Sequence, residues 1–407
     1  MGKTKVILAA VLTAATALEF GCVGSATKPA ADAGTSDAGT PEAGTSEAGT
    51  SDAAKVPCTV AGAFGNAGAT VNGVDYSAGA TVNGLAIGDF NADGNPDLAV
   101  SSFDVASVGV LLGTAAGTFG AKVDYATVGN SGGVAVGDFN GDKKLDLAVT
   151  NYSDNSVGVL TGKGDGTFSV AVNVSTGAQP TDVAVGDFNG DGKLDLAVAN
   201  YGADGVSVLL GKGDGTFQAH ALYLTGPNPY GVAVGNFNGD PYADLAVVNQ
   251  SDDTVSVLLG SAAGTMTVNQ TFSTALAPNR VAVGDFNSDG FLDLAVASFL
   301  GNVVSVHLGN AGGIFARVDE STGVNSYGVA VGDFDGDNHP DLAVSTQQSQ
   351  QVSVLLGRAS GKFDQAVNIA TGGKPNIVKV GDFNGDKKPD LVVGNLNSVS
   401  VLLNRCR

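Results

Sequence analysis

An internal repeat is the feature that most constrains the fold of this chain. A segment beginning DFN, or a close variant of it, starts at Asp89, Asp138, Asp187, Asn236, Asp285, Asp333 and Asp382. Successive starts are 49 residues apart, except for one step of 48. A period of this length indicates that one supersecondary unit is copied and stacked, because a single unit cannot bury its apolar surface alone. The chain therefore contains seven copies of one unit.

Each unit contains four short β segments. Residues 183–220 read VAVGDFNGDGKLDLAVANYGADGVSVLLGKGDGTFQAH. The runs VAVGDF, DLAVAN and VSVLLG are apolar and bounded by Gly, Asp or Asn, and a more polar fourth run follows GTF. Four strands in a period near 50 predict an all-β fold, a seven-bladed β-propeller of four-stranded blades. A parallel β-helix is the alternative, although its coils are usually shorter than this period.

The two ends of the repeat region predict how the ring closes. The last unit stops after its third strand, and Val74-Asp75-Tyr76 aligns with the fourth-strand sequence Val123-Asp124-Tyr125. We therefore expect a strand near residues 69–77 to complete the last blade. Cys58 precedes this strand and Cys406 follows the last one, so a Cys58–Cys406 disulfide is predicted to lock the ring. Two free, buried thiols are the alternative.

The N-terminal segment predicts export. Residues 1–22 contain two Lys and then the run VILAAVLTAATAL, which is too short to span a bilayer comfortably. The sequence LEFGC resembles the end of a bacterial lipoprotein signal, which implies lipidation at Cys22; cleavage after Ala17 and free secretion are the alternative. Residues 23–55 carry acids every five residues among Ala, Gly, Thr and Ser, which predicts a disordered linker. Residues 56–407 remain for the propeller.

Composition excludes some classes of partner. The net charge of −20 argues against nucleic acid and against electrostatic docking to anionic lipid, so membrane contact is expected only through the lipid anchor. With 60 Gly, no Trp and 15% charged residues, the chain is typical of a turn-rich β protein. No nucleophile and base stand together in the sequence. We therefore expect that the protein is not an enzyme. We also expect a monomer.

A nine-residue loop between the first two strands of every unit carries the candidate chemistry. The loops read DFNADGNPD, DFNGDKKLD, DFNGDGKLD, NFNGDPYAD, DFNSDGFLD, DFDGDNHPD and DFNGDKKPD. Oxygen-bearing side chains fill loop positions 1, 3, 5 and 9. They are Asp89, Asn91, Asp93 and Asp97; Asp138, Asn140, Asp142 and Asp146; Asp187, Asn189, Asp191 and Asp195; Asn236, Asn238, Asp240 and Asp244; Asp285, Asn287, Asp289 and Asp293; Asp333, Asp335, Asp337 and Asp341; Asp382, Asn384, Asp386 and Asp390.

These residue types predict up to seven Ca²⁺ sites, one in each loop. Ca²⁺ binds about six to eight hard oxygens, whereas Mg²⁺ tends to keep its waters and Zn²⁺ prefers Cys and His. The alternative is that Asp and Asn simply form Asx turns. The loop at residues 236–244 is expected to be weakest, because it has Asn236 at position 1 and Pro241 at position 6. The sixth loop, with the extra acid Asp335, is expected to be tightest.

The strings DFNGDGKLDLAV and VSVLLG resemble the FG-GAP and VCBS-type repeats of bacterial surface proteins and integrin α-subunit propellers. The resemblance implies bound Ca²⁺ and a role in adhesion or ligand binding. We expect an outer-membrane-anchored or secreted module that binds an unknown protein or glycan at the cell surface. The alternatives are a secreted carbohydrate-binding or polysaccharide-degrading protein, and a purely structural surface protein.

One further position recurs on the face predicted to lie opposite the loops, and it is mainly aromatic. It is occupied by Phe103, Tyr152, Tyr201, Gln250, Phe299, Gln347 and Leu396. These side chains either form a binding surface or shield the rim of the core.

Overall fold

The computed structural model describes residue 64, residues 74–310 and residues 316–405. The described residues form β-strands and turns and contain no helix. Each repeat begins with its innermost strand and moves outward. The first three repeats contain β1 (Val74–Gly88), β2 (Asp97–Ser102), β3 (Ser107–Leu111), β4 (Val123–Ala126), β5 (Ser131–Gly137), β6 (Asp146–Asn151), β7 (Ser156–Leu160), β8 (Val172–Ser175), β9 (Pro180–Gly186), β10 (Asp195–Asn200), β11 (Gly205–Leu209) and β12 (Ala221–Leu224).

The remaining four repeats continue the same order, and neighbouring strands are antiparallel throughout. Their strands are β13 (Pro229–Gly235), β14 (Asp244–Asn249), β15 (Thr254–Leu259), β16 (Thr267–Ser273), β17 (Pro278–Gly284), β18 (Asp293–Ser298), β19 (Val303–Leu308), β20 (Ala316–Ser321), β21 (Ser326–Gly332), β22 (Asp341–Thr346), β23 (Gln351–Leu355), β24 (Val367–Ala370), β25 (Pro375–Gly381) and β26 (Asp390–Leu402).

The core lies between successive sheets, which explains the apolar character of the inner strands. All six residues of β10 are buried, whereas three of the four residues of the outer strand β12 are exposed. One cluster joins Phe188 and Val208 of the third repeat to Val232 and Leu245 of the fourth. Each fully buried side chain of this size contributes about 1.5–3 kcal/mol. The inner strands of every sheet therefore need apolar residues on both faces. The outer strand can be polar because it is largely exposed to solvent.

The prediction of seven blades is wrong, because the strands form six hydrogen-bonded sheets. Five sheets have four strands, and the sixth has six strands in the order β25-β26-β1-β2-β3-β4. The cause is β1, a continuous strand of 15 residues. Its first part pairs with β26, from Val74 opposite Val401, and its second part pairs with β2, from Val82 opposite Ser102. The first and last repeats thus share one blade of a six-bladed propeller.

The innermost strand of every repeat faces a common axis. These strands contact one another in a closed series, β1–β5–β9–β13–β17–β21–β25 and back to β1. In the other six inner strands a register irregularity against the second strand lies close to the point where the strand begins, and in β1 it lies between Val82 and Gly84, where the pairing with β2 begins. A β-bulge bends a strand and re-aims its side chains.

Candidate metal centre

The acidic loops connect the first and second strands of each repeat, and each folds around its own oxygens. In the third loop, Asp187 Oδ1 accepts the N–H of Gly190 at 2.7 Å, and its Oδ2 accepts the N–H of Gly192 at 2.8 Å. Asp191 Oδ1 accepts the N–H of Lys193 at 3.0 Å. The bond from the position 6 N–H to the position 1 carboxylate recurs in the first, second, fifth, sixth and seventh loops. In the fourth loop Pro241 has no N–H, and Asn236 Oδ1 accepts the N–H of Gly239 at 2.7 Å. The position 1 and position 5 carboxylates therefore hold the turn together.

Left-handed backbone makes these tight turns possible. Position 4 has positive φ in all seven loops, including Ala92 at 58° and Ser288 at 59°. Position 6 has positive φ in six of the loops, through Gly94, Lys143, Gly192, Gly290, Asn338 and Lys387. Pro241 is the exception, since the proline ring fixes φ near −65°. The sequence indicated the special conformation of position 6, but the Ala and Ser residues at position 4 concealed that of position 4.

The position 9 aspartate is buried and has a structural role in every repeat. Asp195 Oδ2 accepts the N–H of Phe188 at 2.9 Å, and its Oδ1 accepts the N–H of Gly211 at 2.7 Å. Gly211 follows the third strand, so one carboxylate links the loop to two strands. Equivalent bond pairs involve Asp97, Asp146, Asp244, Asp293, Asp341 and Asp390.

Burial raises the pKa of every position 9 carboxyl, and the other loop acids raise it further. The two backbone N–H donors oppose this rise but do not cancel it. The pKa reaches about 6 for Asp195, Asp293 and Asp390 and about 7 for Asp341. By contrast, the N–H of Lys193 lowers the pKa of the exposed Asp191. A bound cation would relieve the unfavourable charge at position 9.

The sixth loop brings three carboxylates together. Carboxylate oxygens of Asp333, Asp335 and Asp341 all lie within 4.8 Å of one another. Burial also raises the pKa of Asp335, with Asp337 and Asp333 adding to the effect. Ca²⁺ prefers carboxylate oxygens that point toward one another and keep lone pairs not used in hydrogen bonds. Positions 1, 3 and 9 are thus brought together, while Asp337 at position 5 instead accepts the N–H of His339 at 2.8 Å.

The other loops have Asn at position 3, and the amide changes their geometry. In the first, fourth and fifth loops this Asn donates to the position 5 carboxylate, at 3.0, 2.8 and 2.9 Å. In the fourth loop Asn236 also turns its amide nitrogen toward the carbonyl of Asp240. An N–H there replaces an oxygen that a cation would need. The prediction that loop 236–244 is weakest rests on this substitution as well as on Pro241.

Basic side chains beside the loops were missed by the sequence analysis. Lys144, Lys193 and Lys388, all at position 7, lie 3.7, 3.3 and 3.3 Å from the position 5 carboxylate of their own loops. Arg358 lies 3.8 Å from Asp337. Such exposed pairs contribute little stability, but they neutralise part of the loop charge. The spacing of two residues between Asp and Lys was the available signal.

The repeats also match a known family model over most of the chain. The model describes an FG-GAP-like repeat and matches residues 89–149, 138–198, 187–247, 236–296, 285–344 and 333–393. Each match runs from position 1 of one acidic loop past position 9 of the next. The chain belongs to the FG-GAP-like repeat family. No curated protein sequence matches it.

Solved structures support the FG-GAP propeller fold. Hydrazine synthase of Kuenenia stuttgartiensis is 15% identical with a TM-score of 0.59, covering 83% of this chain and 100% of the other. A lectin of Agrocybe aegerita that recognises non-reducing terminal N-acetylglucosamine is 16% identical with a TM-score of 0.51, covering 79% and 87%. The periplasmic gluconolactonase of Pseudomonas aeruginosa is 18% identical with a TM-score of 0.56, covering 72% and 86%. At these identities the likeness extends to the fold alone.

The face of the FG-GAP propeller away from the loops carries the recurring aromatic position. Phe103, Tyr152 and Tyr201 are half-buried and pack in the same cluster as the buried Tyr230. The Phe103 and Tyr152 rings meet edge to face, with centroids 5.3 Å apart. Gln250 and Gln347 instead donate to the axial residues Asn279 and Asn376, at 2.5 and 2.7 Å. The three aromatic residues Phe103, Tyr152 and Tyr201 are thus partly exposed to solvent.

Other predicted features of this FG-GAP protein fall outside the described residues. They include the signal segment, the linker, Cys22, Cys58 and Cys406. The described residues contain no helix with the length and hydropathy that a membrane span requires. Sequence analysis also missed three buried charges on the inner strands, Asp182, Arg280 and Lys379. Each departs from the consensus of its repeat, which was the signal that could have found them.

Proposed function

We propose that the chain is an exported Ca²⁺-binding β-propeller that acts as a binding or adhesion module at the cell surface. The observation that carries this proposal is the convergence of the Asp333, Asp335 and Asp341 carboxylates in a loop design copied seven times. Positions 1, 3 and 9 would supply side-chain oxygens to the cation. Bound Ca²⁺ would offset the mutual repulsion of the loop acids and fix the loops. Their rigid face would then present a constant surface to a protein or glycan.

Thermal unfolding tests the metal part of this proposal. Metal-depleted protein should unfold at a lower temperature than the same protein in Ca²⁺, since a ligand that binds only the folded state stabilises it by RT ln(1 + [L]/Kd). Mg²⁺ at the same concentration should give a smaller shift, because it dehydrates reluctantly. Equal unfolding temperatures with and without Ca²⁺ would remove the proposal.

A second candidate function is carbohydrate binding, for which the half-buried rings of Phe103, Tyr152 and Tyr201 are the supporting observation. Aromatic faces that reach solvent can stack on sugar rings, and one protein of similar fold is a lectin. A glycan array, read with and without Ca²⁺, separates the two candidates. Binding that Tyr152→Ala abolishes and Tyr223→Ala, on the outer strand β12, preserves would support this second function. A companion lyase assay tests the polysaccharide-degrading alternative.

A further inference from the structure

Three charged side chains are buried on the inner strands that surround the axis. Asp182 lies on β9, Arg280 on β17 and Lys379 on β25, and their exposed fractions are 0%, 1% and 6%. Burial raises the pKa of Asp182 to about 6 and lowers that of Lys379 to about 7, and each of these two pKa values is also shifted by the charge of the other residue and by that of Arg280. Two cations thus accompany one carboxylate in a place where charge is costly unless it is balanced.

Arg280 is held from one side only. Its Nη1 donates to the carbonyl of Asn279 at 3.0 Å, and its guanidinium lies 5.1 Å from the centroid of the Tyr230 ring. The Tyr230 hydroxyl is fixed in turn by the Tyr327 hydroxyl at 2.7 Å. Within the described part of the chain, Arg280 Nε and Nη2 are buried and have no hydrogen-bond acceptor. The guanidinium is therefore oriented, yet one edge of it is unsatisfied.

Asp182 does not fill that edge. Its Oδ1 accepts the N–H of Val183 at 2.6 Å, and its Oδ2 accepts the N–H of Val232 at 2.9 Å. Among the residues that the structure describes, no carboxylate lies within ion-pair distance of Arg280 or of Lys379. Asp182 instead links β9 to β13, because both of its carboxylate oxygens accept backbone N–H groups.

Two other arginines in the same chain show which acceptor the Nε and Nη2 groups of an arginine are suited to bind. Arg317 Nε and Nη2 donate to the two oxygens of Asp319, at 2.7 and 2.6 Å. Arg358 Nε and Nη2 likewise donate to the two carboxylate oxygens of Asp364. This planar fork matches the spacing of carboxylate oxygens. Arg280 has the same pair of nitrogens in a buried position, where no side chain of the described residues accepts a hydrogen bond from them.

We propose that the axis of the propeller binds a small carboxylate anion. Its two oxygens accept the N–H groups of Arg280 Nε and Nη2, and the ammonium of Lys379 supplies the second positive charge. With Lys379 protonated, the anion brings the charge of the cluster to zero. The half-buried side chains of Phe103, Tyr152 and Tyr201 pack against the cluster that contains Tyr230, whose ring lies beside Arg280. This site is independent of the acidic loops and of Ca²⁺.

Titration of the full chain with formate and with acetate at constant ionic strength tests the proposal, with calorimetry and saturation-transfer NMR as readouts. Wild type should bind saturably, and Arg280→Lys, which keeps the charge but loses the fork, should bind at least tenfold more weakly. Lys379→Met should also weaken binding, and Asp182→Asn should strengthen it by removing a competing negative charge. Arg317→Met, which removes an exposed fork, is the control and should match wild type.

The outcomes that overturn the site are equally direct. No saturable binding to wild type would mean that Arg280 is satisfied internally, by water or by a movement of Asp182. Unchanged affinity in Arg280→Lys would exclude the fork. Chloride competing as strongly as formate would show a site for point charges, not for carboxylates. The wild-type titration and the chloride competition remain decisive if the Arg280 variant does not fold.

Discussion

At the scale of single residues, the loop acids divide into two groups that the sequence presents as one. Position 9 is buried and bonded through both oxygens to backbone N–H groups, whereas position 5 is largely at the surface. The sequence predicted all four oxygen positions as equivalent ligands. It could not separate them, because burial depends on strands that pair far along the chain. The hydrogen bonds of the loops are those of the Asx turns that the sequence offered as an alternative. Metal binding stays a prediction, and these hydrogen bonds are compatible with it.

Replacing one acid of each group distinguishes their roles. In metal-free buffer, Asp195→Asn should lower the free energy of unfolding by roughly 1–3 kcal/mol, because one buried N–H loses its acceptor. Asp191→Asn should change it by less than about 0.5 kcal/mol, as is usual for surface substitutions. Denaturant unfolding measures both. Equal losses would contradict the structural role of position 9.

Exchanging position 3 between two loops tests which one holds a cation best. Asp335→Asn gives the sixth loop the common pattern and removes one of its three converging carboxylates, so it should weaken the tightest Ca²⁺ binding event. Asn189→Asp gives the third loop the pattern DFDGDGKLD and should strengthen binding there. Calorimetric titration of both variants against wild type is the measurement. The expectation fails if the two substitutions change Ca²⁺ affinity in the same direction.

The raised pKa values predict how pH acts on the metal-free protein. Burial raises the pKa of Asp195, Asp293 and Asp390 to about 6 and that of Asp341 to about 7, so the folded state keeps these protons longer than the unfolded chain does. Stability from these groups is complete below the unfolded pKa of about 4 and is lost as pH rises through the folded values. Metal-free protein should therefore become less stable between about pH 4 and 7.

Ca²⁺ should oppose this loss, since it competes with the protons for the same carboxylates. The gap between Ca²⁺-bound and metal-free stability should widen over that interval, as read from denaturant unfolding at each pH. Asp341→Asn, which cannot titrate, should show a shallower dependence in the metal-free state. A metal-free protein that gains stability as pH rises would refute the assignment.

At the scale of the strands, sequence reasoning reached most of the structure. Short apolar runs bounded by Gly, Asp and Asn located the inner strands, and the alignment of Val74-Asp75-Tyr76 with the fourth strands located the pairing of β1 with β26. What it could not give was the continuity of β1. Residues 78–83 resemble a connection in sequence, yet they carry the strand from one repeat into the other without a break. Local sequence does not state where one sheet ends.

Tyr76 on β1 offers a test of this junction, with Tyr125 on β4 as its matched control. Tyr76 meets Phe119 edge to face at 5.4 Å and its hydroxyl accepts the N–H of Phe119 at 2.9 Å. Tyr125 makes the same ring contact with Phe168 at 5.5 Å, and the described residues provide no donor to its hydroxyl.

Tyr76→Ala should therefore cost about 1 kcal/mol more than Tyr125→Ala, the usual net value of one hydrogen bond. Chemical denaturation of both variants gives the comparison. A greater loss in Tyr125→Ala would show that the ring contacts, and not the junction, determine the difference.

At the scale of the whole molecule, the repeat period correctly predicted a propeller, but the number of blades predicted from it was wrong. Seven repeats occupy six sheets, because the ring is closed by sharing a strand. The sequence also did not predict the buried charges near the axis. Asp182, Arg280 and Lys379 lie 98 or 99 residues apart in sequence, in the third, fifth and seventh repeats. Only ring closure brings them near one another, so no local pattern could reveal that they form a cluster.

The shared strand also decides how such a ring can come apart. A linear array of repeats has two exposed ends, from which units can fray one at a time. Here β1 occupies the position of both ends, so neither terminal repeat has an unpaired inner neighbour. Loss of any one repeat would break the closed series of contacts between the inner strands. Evolution could therefore lengthen or shorten this protein only by changing the size of the whole circle.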